Sequence, residues 1–176
     1  MKVSLVLTII GPDRPGIVES LARKATAHDA NWEESRMARL AGQFAGILRV
    51  SVPDHEAGPL GDALRELEGQ GLRVVIEKIA AIEGTEARRP LRLELVGNDR
   101  PGIVREISQV LASHGVNVDE LQTECANAPM SGQVLFRASA RLGLPADLSL
   151  DELQERLERI AGDLMVDLSI EEPAAT

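Results

Sequence analysis

An internal repeat restricts the possible folds of this chain more than any other feature. Gly11-Pro12-Asp13-Arg14-Pro15-Gly16-Ile17-Val18 returns 86 positions later as Gly97-Asn98-Asp99-Arg100-Pro101-Gly102-Ile103-Val104. At the same offset His28 answers to His114, Asn31 to Asn117 and Glu34 to Glu120. Gly42-Gln43 and Gly132-Gln133 are 90 positions apart, so the second copy is expected to carry four extra residues around Ala126 to Met130, in a longer hairpin loop. Two copies of about 80 residues are duplicated domains; a solenoid would need three or more shorter units. The expected boundaries are a first domain at 1–82, a polar linker at 83–89, a second domain at 90–172 and a tail at 173–176.

Both copies show the same succession of periodicities. Val3, Leu5, Leu7 and Ile9 alternate with other residues, as do Leu91, Leu93 and Leu95, which predicts a strand opening each copy. The apolar run at the N-terminus stops at Gly11-Pro12, with no small-residue cleavage pattern behind it, so it is read as a strand and not as a signal peptide. Ile17, Val18, Leu21, Ala22 and Ala25 are expected on one helical face, as are Ile103, Val104, Ile107, Val110 and Leu111. A hairpin follows, then a helix carried by Leu60, Leu64 and Leu67, or by Leu150, Leu153, Leu157 and Ile160. Ser149 and Glu152 have the spacing of a capping box at the start of the latter. Closing strands are expected over 72–79 and 164–170. The order β-α-β-β-α-β, twice over, predicts an α+β protein of two tandem ferredoxin-like domains, each an antiparallel sheet with two helices on one face. Domains this small bury too little surface to be robust alone, so pairing of the copies and a homodimer are expected.

Charge and composition exclude several classes. Twenty-eight acidic against 19 basic residues give a formal charge of −9, a field that repels phosphate backbones and anionic lipid. Residues 1–85 carry −2 and the remainder −7. No tyrosine is present, and the aromatic residues are Trp32, Phe44 and Phe136, too few for a base-stacking platform. Direct nucleic-acid binding is not expected, nor is a membrane span, since no stretch approaches about 20 apolar residues. Cys125 is the single cysteine, so there is no intrachain disulfide and no multi-thiolate metal site, and a cytoplasmic setting is expected. Its place on a strand pattern suggests a buried thiol. Glu33, Glu34, Asp119 and Glu120 do not suggest a metal site, because strand alternation sends neighbours to opposite faces. His28 and His114, at helix ends, are read as structural. Trp32 suits either a sheet edge or a pocket wall.

The repeated turn admits two readings. Asp13 and Asp99 could cap the helix or its entry turn, with Pro15 and Pro101 fixing the first turn and Gly16 and Gly102 permitting close packing. Alternatively the backbone N–H groups of Gly16, Ile17 and Val18, and of Gly102, Ile103 and Val104, point out of a helix N-terminus and accept a carboxylate. Asp13 or Asp99 would then receive an ammonium, and a ligand carrying both groups a few ångströms apart is an α-amino acid.

These turns, each followed fifteen residues after its second Gly by Asn31 or Asn117, resemble the amino-acid-binding signature of the ACT-domain family, small regulatory ligand-binding modules. The resemblance spans nearly the whole chain as two copies. It implies that Gly11, Asp13, Gly16, Ile17 and Val18 form one turn site and Gly97, Asp99, Gly102, Ile103 and Val104 the other. Asn31 and Asn117 would reach in from a neighbouring ACT domain across an interface. Serine-binding members often carry His at the first turn position, where this chain has Gly11 and Gly97. The resemblance further implies a non-catalytic regulator that binds a small amino acid, glycine among the candidates, and acts through a protein partner, a transcriptional activator. No cofactor or metal is implied. No Walker loop, metal-ligand cluster or nucleophile with a partnering His and acid is found, which argues against catalysis. The competing reading is a constitutive interaction scaffold whose turns are kept for folding.

Overall fold

The computed structural model describes residues 1–80 and 87–173. The chain divides into two compact units between residues 84 and 85. In the first unit β1 (Lys2–Pro12) leads into α1 (Ile17–Ala27), the hairpin β2 (Asn31–Leu40) and β3 (Gln43–Pro53), α2 (Ala57–Arg65) and β4 (Arg73–Ile79). The second repeats the order with β5 (Arg89–Asn98), α3 (Ile103–Ser113), β6 (Asn117–Asn127), β7 (Val134–Leu144), α4 (Leu150–Leu164) and β8 (Val166–Glu171). The sheets run β2-β3-β1-β4 and β6-β7-β5-β8, every pairing antiparallel, so each unit is the expected ferredoxin-like α+β domain.

Alternation along the strands supplies each core. Leu5, Leu7 and Ile9 of β1 and Leu48, Val50 and Val52 of β3 are buried against Ile17, Leu21 and Ala25 of α1 and Leu60 and Leu64 of α2. Leu91, Leu93 and Leu95, with Leu142 and Leu144, meet Ile103, Ile107 and Leu111 of α3 and Leu153, Leu157 and Leu164 of α4 in the same way. No polar or charged side chain is buried among the described residues, so the apolar pattern alone accounts for both cores.

Several expectations are corrected. Val18 and Val104 are 47% and 45% exposed, because one position beyond Ile17 or Ile103 turns a side chain about 100° off the buried stripe. Strand register makes the insertion six residues, not four: Gly11 pairs with Phe44 and Gly97 with Phe136, and the Phe residues are 92 apart. The first hairpin turns in two residues, Ala41 and Gly42, both at positive φ as a tight hairpin requires, whereas the second uses residues 128–133. The closing strands begin later than expected, at Arg73 and Val166. The chain runs on as a short 3₁₀ segment (Glu66–Gln70) after α2, and α4 extends through Leu164 before Met165 turns at φ 54. Ser149 is the N-cap of α4, but its side chain makes no capping bond; its carbonyl accepts from Leu153 N–H instead. Arg89, read as linker, already pairs with Leu144 in β5, and its guanidinium donates to the Leu148 carbonyl at 2.6 Å. Linker positions 83–86 and tail positions 174–176 lie outside the described residues.

Candidate functional site

The two repeated turns join the end of the first strand to the first helix of each unit. Asp13 N–H donates to the Gly42 carbonyl and Asp99 N–H to the Val134 carbonyl, both at 2.9 Å, so each turn is pinned to the neighbouring hairpin. Gly16 (φ 90) and Gly102 (φ 100) are the N-caps of α1 and α3 in the left-handed region. An added Cβ would meet nothing within 4 Å at either, so backbone conformation and not crowding demands glycine there. Neither helix has a side-chain cap. Asp13 and Asp99 therefore do not cap the helices, and Pro15 and Pro101 precede the N-cap. The first-turn amides, those of Ile17 and Val18 and of Ile103 and Val104 included, have no intrahelical acceptor; with the helix dipole they favour an anion.

Gly11 and Gly97 answer to a different constraint. A Cβ on Gly11 would lie 2.6 Å from the Gly71 carbonyl oxygen, and one on Gly97 would lie 2.4 Å from Val166 Cγ1. The chain at or entering the closing strand crosses too close for any side chain, which gives a packing reason for glycine at both positions.

Asn31 and Asn117 stand far from the turns of their own units. Asn31 opens β2 opposite Ser51, whereas Arg39, near the other end of β2, lies opposite Phe44 in the row of Gly11. Eight residues of strand separate the two rows, roughly 25 Å. Asn117, opposite Gly143, stands equally far along β6 from Cys125, which shares the row of Phe136 and Gly97. A single unit therefore cannot bring its Asn and its turn to one small ligand. The Asn31 amide has no hydrogen-bond partner among the described residues, while Asn117 Nδ2 donates to Asp119 Oδ1 at 2.6 Å.

Two residues that the sequence did not place at the turns, Arg39 and Cys125, stand beside the turn carboxylates. Arg39 Nε lies 3.8 Å from Asp13 Oδ2. At the equivalent position, in the row of Gly97, stands Cys125, whose thiol is held above its ordinary pKa first by partial desolvation and then by the nearby charge and hydrogen-bonding of Asp99. Cys125 is exposed, not buried as expected, because β6 is an edge strand and the residue lies beside the turn, beyond the start of α3. The 86-residue offset aligns Arg39 with Cys125, a signal already present in the repeat. Arg14 donates to Gln70 Oε1 at 2.7 Å; Arg100 makes no hydrogen bond or ion pair among the described residues.

Other candidates resolve as structure. The alternation argument for Glu33 and Glu34 fails, because a β-bulge between Trp32 and Glu34 lets both reach Arg49, at 3.3 and 3.6 Å. Both carboxylates thus share one guanidinium, and no group of three metal-ligating side chains occurs among the described residues. His28 Nδ1 is 2.7 Å from Glu56 Oε2, and His114 Nδ1 is 2.8 Å from the Val110 carbonyl oxygen. Trp32 is half-buried against the first core. An apolar cleft of about 50 Å³ beneath α3, walled by Val104, Ile107, Val118, Leu121 and Ala138, offers a zwitterion no charged group. No described helix is long and apolar enough to cross a membrane.

Comparison with known proteins agrees with this architecture. Two ACT-domain family profiles match, over residues 4–77 and 91–138. The glycine cleavage system transcriptional repressor of Escherichia coli (strain K12) is 26% identical over 147 residues, 81% of this chain and 77% of its own. The phosphoserine phosphatase SerB2 of Mycobacterium tuberculosis is 26% identical over 97% of this chain, which spans 41% of that enzyme. Among solved structures, an unknown protein from Galdieria sulphuraria superposes with a TM-score of 0.89 at 33% identity, covering 99% of this chain and 100% of that one. A structure described as a putative glycine cleavage system transcriptional repressor has the same fold, with a TM-score of 0.71 at 21% identity over 97% of both chains.

Proposed function

From the premise that this chain belongs to the ACT-domain family, in a tandem form similar to the glycine cleavage system transcriptional repressor, we propose that it is a non-catalytic sensor of a small amino acid. The observation that carries the reading is the pair of uncapped helix N-termini, each preceded by an aspartate. The helix amides take the ligand carboxylate and the aspartate takes its ammonium. Because Asn31 and Asn117 are remote from the turns of their own units, a complete site needs an Asn from another ACT domain. Ligand binding then favours the packing of ACT domains that completes the site, and only that difference in affinity can move the equilibrium. A partner protein, a transcriptional activator, reads the packing. The charge of −9 suits this indirect mode better than contact with DNA. Homodimer formation and a cytoplasmic setting belong to the same proposal.

Glycine is the smallest candidate. At a ceiling of about 1.5 kcal/mol per heavy atom its binding free energy reaches only about 7.5 kcal/mol, a dissociation constant of several micromolar at the tightest. A thermal-shift screen against the proteinogenic amino acids at millimolar concentration, followed by calorimetry, tests the proposal. A selective shift is expected, abolished in the double variant Asp13→Ala/Asp99→Ala with its unliganded melting temperature unchanged. No shift with any amino acid would leave the scaffold reading in its place.

A further inference from the structure

The two turns share the sequence Asp-Arg-Pro-Gly but not the same electrostatic surroundings. In the first unit the carboxylate of Asp13 is paired with Arg39, 3.8 Å away, and Arg14 is tied to Gln70. In the second unit the residue in Arg39's place is Cys125, a neutral neighbour for Asp99, and Arg100 makes no hydrogen bond or ion pair among the described residues. Register makes the comparison direct: Arg39, Phe44 and Gly11 occupy one row of the first sheet, and Cys125, Phe136 and Gly97 the same row of the second.

We propose that the side chain at this row decides which turn takes the amino acid, so that the second turn binds it and Arg39 closes the first. This rests on the sensor reading above and adds the choice of site and its cause. An ammonium approaching Asp13 meets a guanidinium already there, and it must either displace that group or share the carboxylate with a like charge. At Asp99 it meets a carboxylate whose neighbour is uncharged. Arg100, two positions before the α3 N-cap, adds a positive charge that no described residue neutralises. The second turn thus offers a zwitterion a carboxylate with no cation beside it and an uncapped helix N-terminus, while in the first the carboxylate already has a counter-charge.

The test is amide NMR of the full chain titrated with glycine, and in parallel with L-serine, for the wild type, Arg39→Cys and Cys125→Arg. The wild type is expected to show saturable shifts at Gly102, Ile103 and Val104 and none at Gly16, Ile17 and Val18. Cys125→Arg should weaken that binding tenfold or more, about 1.4 kcal/mol. Arg39→Cys should bring equivalent shifts to the first turn. It also keeps the proposal exposed to refutation if Cys125→Arg fails to fold. Equal shifts at both wild-type turns, shifts at the first turn alone, or undiminished affinity in a folded Cys125→Arg protein would overturn the assignment while leaving the sensor reading intact. No shift in any protein with either amino acid, nor in the thermal screen, would overturn both.

Discussion

Gly16 isolates one physical effect cleanly. Its φ of 90 lies where an L-residue is strained, yet its missing Cβ faces open space, so replacing it by alanine changes conformational energy and almost nothing else. The left-handed penalty is about 1–2 kcal/mol, and the reduced entropy of the unfolded chain offsets only a part of it. For a urea slope of about 1.5 kcal/mol/M, expected of so small a unit, the midpoint should fall by roughly 1 M. Trp32 makes the measurement local: it is the only tryptophan and packs against the first core, so its fluorescence follows the first unit while circular dichroism follows both. Gly16→Ala is expected to lower the fluorescence midpoint. Gly16→Asn should recover a good part of the loss, since asparagine tolerates the left-handed region. Gly102→Ala, strained in the same way at φ 100, should move the dichroism and leave the Trp32 transition in place. An alanine at 16 that changes nothing, or an asparagine as costly as the alanine, would refute the argument from backbone conformation.

Gly97→Ala is expected to destabilise for the opposite reason, crowding against Val166, by about 1–3 kcal/mol in urea denaturation followed by dichroism. A neutral effect would show that the start of β8 can move aside. The carboxyls of Asp54 and Glu66 are held below their ordinary values of 3.8 and 4.5, first by hydrogen bonds from Lys78 and Lys24 and then by the charges of those lysines. A lowered folded-state pKa contributes stability that is complete above the ordinary value and is lost as pH falls through the folded value. Lys24→Met/Lys78→Met should therefore be less stable than the wild type at about pH 7, and the gap should be narrower at a pH well below the ordinary values of 3.8 and 4.5. A gap of equal size at both pH values would assign the loss to packing of the lysine stems instead.

The repeat and its periodicities made the fold legible because alternation and helical spacing are local, and each copy confirms the register of the other. Leu5, Leu7 and Ile9 announce a strand, and Leu60 and Leu64 a helix, whatever lies around them. What failed was whatever depended on termination or on neighbours across the sheet. Equating Gly42 with Gly132 undercounted the hairpin insertion by two, because only the pairing of Gly11 with Phe44 and Gly97 with Phe136 reveals the register. The alternation argument for Glu33 and Glu34 failed at a bulge that shows itself only in the strand pairing.

The candidate site divides in the same way. The sequence by itself determined the Asp-Arg-Pro-Gly turns, their place between strand and helix, and the Asn residues that follow, since these depend on residue type and short spacing. Only the tertiary structure decided that each Asn stands some eight residues of strand away from the turn of its own unit. It alone set Arg39 beside Asp13 and Cys125 beside Asp99, because a residue on β2 or β6 meets the turn only after two strand pairings bring them into one row. Charge acts through space, so two turns that share the sequence Asp-Arg-Pro-Gly acquire different electrostatic surroundings from neighbours more than 20 positions away in the chain.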